Sequence, residues 1–204
     1  MLLKLYEQNP DQRLIDKIVH LLENGGVIIY PTDTVYGIGC DITKARAVER
    51  VARIKGIKPE KARFAFICSD LSHLSDYARH VDNRTFKLMK SHLPGPFTFI
   101  LSASTQVPKS IKANRKTVGI RIPDNNIILE IVRQLGHPIL TTSLKEEDRI
   151  LEYPTDPELI YEEYRDLVDV VIDGGYGGIM PSTIIDCTGE EPAVTREGLG
   201  EIDY

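Results

Sequence analysis

The chain has 204 residues, 42% of them hydrophobic and 27% charged, and a formal net charge of −5. That length suits one large domain or two small ones, with enough apolar surface to form a core without disulfide staples. No apolar run approaches a membrane span, and the negative balance argues against indiscriminate nucleic-acid binding.

The first residues, MLLKLYEQNPDQ, turn polar before a signal-peptide core could form, so a cytoplasmic setting is expected. Asp11 to Asn24 reads as a helix: Asp11 or Asn9 can cap it, Leu14, Ile15, Ile18, Leu21 and Leu22 form one stripe, and Gly25-Gly26 ends it. Val27 to Tyr30 is a continuously apolar strand, the pattern of a strand covered on both faces. The next stretch, PTDTVYGIGCD, places Thr32, Asp33, Thr34 and Tyr36 beyond that strand's carboxyl end, where ligands sit in α/β sheets. Gly37 and Gly39 permit positive φ and close backbone approach. Either these hydroxyls hold a small polar ligand, or the segment is a hydrogen-bonded turn that closes on itself.

Lys44 to Lys55 predicts a second helix, which ends in a run of basic residues, Arg53, Lys55, Lys58, Lys61 and Arg63. These either complement the helix dipole or bind phosphate. Phe64 to Cys68 is a strand, Asp70 to Ala78 and Asn83 to His92 are helices, and LPGPFTFIL is a turn followed by a strand. Thr117 to Ile122 is a strand, Asn126 to Leu135 a helix, and Pro138 to Thr142 a strand. Ser143 to Asp156 is the least regular stretch, a surface loop or a mobile loop over a site. Pro157 to Leu167 reads as an acidic helix, and Val168–Ile172, Thr183–Asp186 and Ala193–Arg196 as short strands. Elements that alternate early and crowd into strands late predict an α/β fold with a twisted mixed sheet and flanking helices.

Charge is unevenly spread. Lys44 to Arg121 holds 17 Lys/Arg against five Asp/Glu, whereas Ile122 onward holds five against 19. This makes either one positive face, with KSIKANRK (Lys109, Lys112, Arg115, Lys116) a candidate for RNA contact, or ordinary solvated helix faces and loops. Arg121 and Arg196 fall in or at the ends of strands, so each needs a partner, either a protein carboxylate or an anionic ligand. Cys40, Cys68 and Cys187 are far apart and read as buried apolar residues. There is no Walker A loop and no metal-ligand spacing among the five histidines. Ser143 and Ser182 lie in no nucleophile elbow, and GGYGG (174–178) reads as a flexible turn.

Seven stretches, in order from about Gly26 to Gly200, resemble the YrdC-like family: PTDTVYGIGCD, the basic stretch from Lys55, LPGPFTFIL, VGIRIPDN, TTSL, PSTIIDCT and VTREGLG. The resemblance implies a single YrdC-like domain over residues 1–204, with a twisted mixed sheet around a positive cleft. It implies kinship with threonylcarbamoyl-adenylate synthases, which join L-threonine, bicarbonate and ATP and release pyrophosphate. Their product serves threonylcarbamoyladenosine formation in tRNA, and some members are described as binding double-stranded RNA. By similarity, Thr32 and Thr34 line the threonine and nucleotide cleft, with Tyr36 beside them. Lys55 matches the lysine of K-x-R, with Lys58 a partial substitute for its arginine, and Arg121 matches R-[IV]-P near the threonine carboxylate. Ser143 matches the middle serine of S-T-S-A-N, Ser182 and Thr183 match P-S-T, and Arg196 matches a late phosphate-side arginine. Lys55 and Arg121 are the expected catalytic residues; if the chain is an active synthase, a nucleotidyltransferase, ATP is its substrate with Mg²⁺ arriving on it, and no permanent cofactor or protein metal site is expected. Two departures stand out: Ile57 replaces the K-x-R arginine, and Leu144-Lys145 replace the Ala-Asn of S-A-N. Both resemble the YciO branch. The expectation is therefore nucleotide or RNA binding in the cleft, with an active synthase as the alternative.

Overall fold

The computed structural model describes residues 1–58, 64–108, 116–144 and 154–202. Lys61, Arg63, Lys109, Lys112, Arg115, Lys145 and most of the irregular 143–156 loop lie outside them.

In chain order the described strands are β1 (Leu2–Lys4), β2 (Val27–Tyr30), β3 (Gly37–Asp41), β4 (Ala65–Ile67), β5 (Ala78–Arg79) and β6 (Phe97–Ala103). They continue with β7 (Thr117–Arg121), β8 (Ile139–Ser143), β9 (Val170–Asp173), β10 (Thr183–Asp186) and β11 (Ala193–Arg196). The helices are α1 (Gln12–Glu23), α2 (Ala45–Ile54), α3 (Leu74–Tyr77), α4 (Asn83–His92), α5 (Asn126–Leu135) and α6 (Pro157–Tyr164). All strands belong to one sheet in the order β1-β9-β2-β3-β8-β4-β7-β6-β10-β11, with β5 added against β6. The β1–β9, β9–β2, β4–β7 and β6–β10 pairs are parallel and the rest antiparallel, so the sheet is mixed as expected.

Helix ends follow local chemistry. The Asp11 carboxylate accepts from the Arg13 amide at 2.8 Å and starts α1. After α2, Gly56 adopts φ +66°. The Gly56 amide donates to the Arg53 carbonyl, and the Ile57 amide reaches back to Ala52, both at 3.0 Å. This is a Schellman end, and its following apolar residue, Ile57, packs against the core.

Three expectations needed correction. The helix at Asp70–Ala78 shrinks to α3, because Asp70 accepts from the Ser72 amide at 2.7 Å in a turn and Ala78–Arg79 pair with β6. The acidic helix ends at Tyr164 rather than Leu167. Gly37 and Gly39 are not in positive-φ turns but in strand β3.

Strand alternation divides the core into two layers. Val27 and Ile29 face α2, α4 and α6, whereas Ile28 and Tyr30 face α1 and α5. On α5, Ile127, Ile128, Ile131, Val132 and Leu135 are buried, each worth about 1.5–3 kcal/mol relative to exposure. Helices α1 and α5 cover β9, β2 and the near ends of β8 and β4, through Ile139 and Ile67. Farther along that same face, no helix among the described residues packs over β7, β6 and β10. That uncovered half is where the site forms.

Candidate functional site

Register dictates which side chains enter the uncovered half-face. Thr141 pairs with Ala65, and Ala65 with Gly119. Gly119 pairs with Ile100, and Ile100 with Asp186. On the neighbouring row, Ile184 pairs with both Thr98 and Arg196. Residues two apart on a strand share a face, so Arg121 joins Gly119 and Ser143 joins Thr141. Gly119 and Ala65 carry almost no side chain, which leaves a hollow of about 690 Å³ in the middle of the sheet. Tyr36 and Pro181 form part of its wall, and Arg121, Arg196, Ser143 and Ser182 reach it.

Arg121 is the most constrained cation. Its Nη2 donates to Asp33 Oδ1 at 2.7 Å and to Thr34 Oγ1 at 2.9 Å. The paired side chains are only 10% and 9% exposed. Asp33 Oδ2 in turn accepts from the Asp124 amide at 3.0 Å. Burial pushes the guanidinium down from its ordinary value and Arg196 adds to this, while Asp33 opposes it. Its Nε is buried with no hydrogen-bond partner. Arg196 donates through Nε and Nη2 to the Ser182 carbonyl at 3.2 and 2.7 Å, and through Nη2 to Ser182 Oγ at 3.3 Å. Ser182 Oγ also lies 2.8 Å from Thr98 Oγ1.

The hydroxyl-rich loop after β2 works mainly from behind. Thr32 Oγ1 donates to the Val35 carbonyl at 2.8 Å, accepts from the Thr34 amide at 3.0 Å and lies 3.1 Å from Thr34 Oγ1. Thr34 is buried and meets Arg121 rather than lining the hollow. Tyr36 does line it; its hydroxyl donates to the Gly175 carbonyl at 2.7 Å and accepts from the Gly174 amide at 3.2 Å. Burial is the chief cause that pushes this phenol up to about 12. GGYGG is therefore a strap behind the loop: the Gly178 amide donates to the Thr34 carbonyl at 2.7 Å. A Cβ on Gly178 would come 2.5 Å from that same oxygen, and one on Gly177 2.6 Å from the Tyr36 ring.

The remaining expected residues separate. Thr183 points to the opposite face, where Oγ1 donates to the Gly200 carbonyl at 2.6 Å and accepts from the Gly198 amide at 3.0 Å. Lys55 sits at the end of α2, and its Nζ donates to the Leu144 carbonyl at 2.9 Å, one residue beyond Ser143. It is not part of the hollow's wall. Lys58 is exposed past the Gly56 cap, and Lys116 is exposed at the start of β7. Leu144 is buried in the core. Thr98, Thr117, Thr141, Asp186 and Thr195 also line the hollow. The sequence reading missed them, although period-two counting from Arg121 and from Ser143 reaches Thr117 and Thr141. Among the described residues, no three His, Cys, Asp or Glu side chains could hold a metal ion, and no helix is long and apolar enough to cross a membrane.

Fold and site together define a single-domain α/β protein with an open, arginine-bearing cleft on one sheet face. The Sua5/YciO/YrdC family model, described as telomere recombination, matches residues 20–198, and the chain belongs to that family. It is 43% identical over 199 residues to the YciO protein of Escherichia coli (strain K12), spanning 97% of this chain and 95% of that one. The crystal structure of E. coli YciO superposes with a TM-score of 0.90 at 42% identity, covering 98% of this chain and 97% of that one. The threonylcarbamoyl-AMP synthase of Bacillus subtilis (strain 168) is 30% identical over 194 residues, 94% of this chain but 55% of the synthase. Sua5 of Pyrococcus abyssi, solved in complex with L-threonine, superposes with a TM-score of 0.88 at 26% identity, over 97% of this chain and 57% of that one. The chain thus spans little more than half the length of these two proteins.

Proposed function

We propose that the cleft binds a nucleotide, with its phosphate end directed at Arg121 and Arg196, and that binding rather than adenylate synthesis is the principal activity. The observation that carries this is the convergence of two guanidinium side chains, Arg121 and Arg196, on one hollow. Two guanidinium groups reach one cleft, with Asp33 paired to Arg121 and Asp186 on the described wall, and such a pair of cations can meet an anionic guest. A volume near 690 Å³ lies within the range of small-molecule sites. The emphasis on binding follows from the K-x-R position: Ile57 is used as the apolar residue of a helix end, so no guanidinium reaches phosphate from there. Lysine at position 58 lacks the planar fork that would replace it.

The test is calorimetry with ATP and L-threonine, separately and together. ATP should bind, and Arg121→Gln should abolish binding without unfolding the chain. Absence of any ATP heat would refute the proposal.

A second reading is favoured by kinship with the B. subtilis synthase and with the L-threonine complex of P. abyssi Sua5. In it, the threonine amine and bicarbonate form a carbamate with loss of water, the carbamate carboxylate attacks the α-phosphorus of ATP, and pyrophosphate leaves. Arg121 would hold the carboxylate, Lys55 and Arg196 would offset phosphate charge, and Mg²⁺ would arrive with ATP. Pyrophosphate release that requires both threonine and bicarbonate would establish it; release at background would exclude it. Binding of double-stranded RNA or tRNA is a separate proposal. It would draw on exposed cations such as Lys58 and Lys116 and would show as filter binding that falls steeply with salt.

A further inference from the structure

We propose that Arg79 forms a second phosphate subsite at the far end of the open sheet face, and that the cleft takes a nucleotide within a phosphodiester-linked chain rather than a lone mononucleotide. The inference rests on the nucleotide reading of the cleft and names the substrate class for it.

Arg79 reaches this face through register. Strand β5 has two residues; Arg79 pairs with Ser102 of β6, which pairs in turn with Thr117 of β7. Thr117 lines the hollow, as does Ile100, two residues before Ser102. Directly opposed residues share a face, so Arg79 stands on the cleft side. Its neighbour Ala78 pairs with Ala103, and both are buried in the opposite layer. His80 then leaves the strand at φ +58°, a left-handed conformation that residues with a Cβ seldom adopt. Arg79 is thus the exposed last residue of β5, and among the described residues its guanidinium has no hydrogen bond or ion pair.

This subsite is separate from the first. Arg196 meets the row of Thr98 through Ile184, whereas Arg79 meets the row of Ser102. Thr98 and Ser102 are four positions apart on β6, as are Thr117 and Arg121 on β7, so the two cationic ends stand about 13 Å apart along the strands. Asp186 lies in the row between them, opposite Ile100. Its Oδ1 accepts from the Thr188 amide at 2.9 Å and from the Thr188 hydroxyl at 2.6 Å. That carboxylate disfavours a phosphate in the middle and divides the face into two anion subsites. The phosphates of one nucleoside polyphosphate are joined through a single oxygen, too close together to occupy both. Those of successive nucleotides are separated by a sugar, and arginine side chains leaning inward from each end can meet them.

Calorimetry on the full chain with AMP, ADP and the 5′-phosphorylated dinucleotide pApA tests this. Wild type should bind pApA at least about 5-fold more tightly than AMP, and Arg79→Gln should cut that ratio to under about 2-fold. Arg79→Lys, which keeps the charge, should restore most of it. For pApA, the slope of log affinity against log salt should be shallower by about 0.7 in Arg79→Gln, the value for one phosphate contact on a single strand. The ADP-to-AMP ratio should be the same in Arg79→Gln as in wild type. Arg79 is exposed, so the variants should melt with wild type. A pApA advantage that survives Arg79→Gln, no such advantage in wild type, or an ADP ratio that falls in the variant would overturn the inference and leave the cleft a mononucleotide site. If wild type binds none of the three, the cleft reading fails with it.

Discussion

Asp33→Asn should expose how Arg121 is held. The substitution keeps size and shape but removes the negative charge that accepts from Arg121 Nη2 at 2.7 Å. Both side chains are about nine-tenths buried, so water cannot replace the lost anion. Breaking a buried pair by removing one partner typically costs about 3–5 kcal/mol, because the other charge is left uncompensated. For a domain of this size each kcal/mol corresponds to about 2–4 °C, so differential scanning calorimetry should show Tm lower by about 6–20 °C. A ligand oxyanion beside Arg121 would supply part of the missing charge, so AMP should stabilise Asp33→Asn more than it stabilises wild type. A Tm loss under about 2 °C would refute the reasoning, since only a solvated pair is that weak.

The other predictions concern the frame around the site. Gly56→Ala meets no atom within 4 Å but must adopt φ +66°; it should cost about 1–2 kcal/mol in urea unfolding, from the left-handed backbone alone. Gly39→Ala places a Cβ 2.1 Å from the Leu140 carbonyl; β3 and β8 must separate, and a loss of at least about 2 kcal/mol is expected by the same assay. Asp41 is buried at the end of β3. Burial raises its carboxyl, but hydrogen bonds from His137 and from Thr43 outweigh this and hold it below the ordinary range. A carboxyl lowered in the folded state stabilises above its unfolded value, near 4, and loses that contribution as pH falls through the lower folded value. Asp41→Asn should therefore lose stability at neutral pH and show a shallower decline below about pH 4 than wild type, read from urea midpoints.

The elements that could be read in the sequence were those whose signal is local. VIIY announces a strand buried on both sides, and Asp11 with Gly25-Gly26 brackets α1. Strand β3 escaped notice because GIGCD carries two glycines, which are depleted in strands. Their reason lies across the sheet: Gly39 lies against Leu140, and that neighbour is 101 positions away in the chain. The same distance problem hid the partner of Arg121. A charged residue in an apolar strand clearly required one, but nothing local singled out Asp33, 88 residues earlier. GGYGG read as a turn because the groups that need its small residues, Tyr36 and the Thr34 carbonyl, lie about 140 positions upstream. Thr32 and Thr34 drew attention as ligand hydroxyls. Both hydrogen-bond within their own loop, and Thr34 also braces Arg121, so the loop acts on the cleft through the arginine.

The central claim is that the uncovered half of the sheet face, floored by Ala65 and Gly119, receives an anion at Arg121 and Arg196. A crystal structure of the full chain grown with AMP tests it most directly. The account predicts the nucleotide in that hollow, with phosphate oxygens within hydrogen-bond distance of one or both guanidinium groups. AMP bound only outside the hollow, or a hollow still empty at saturating AMP, would contradict it.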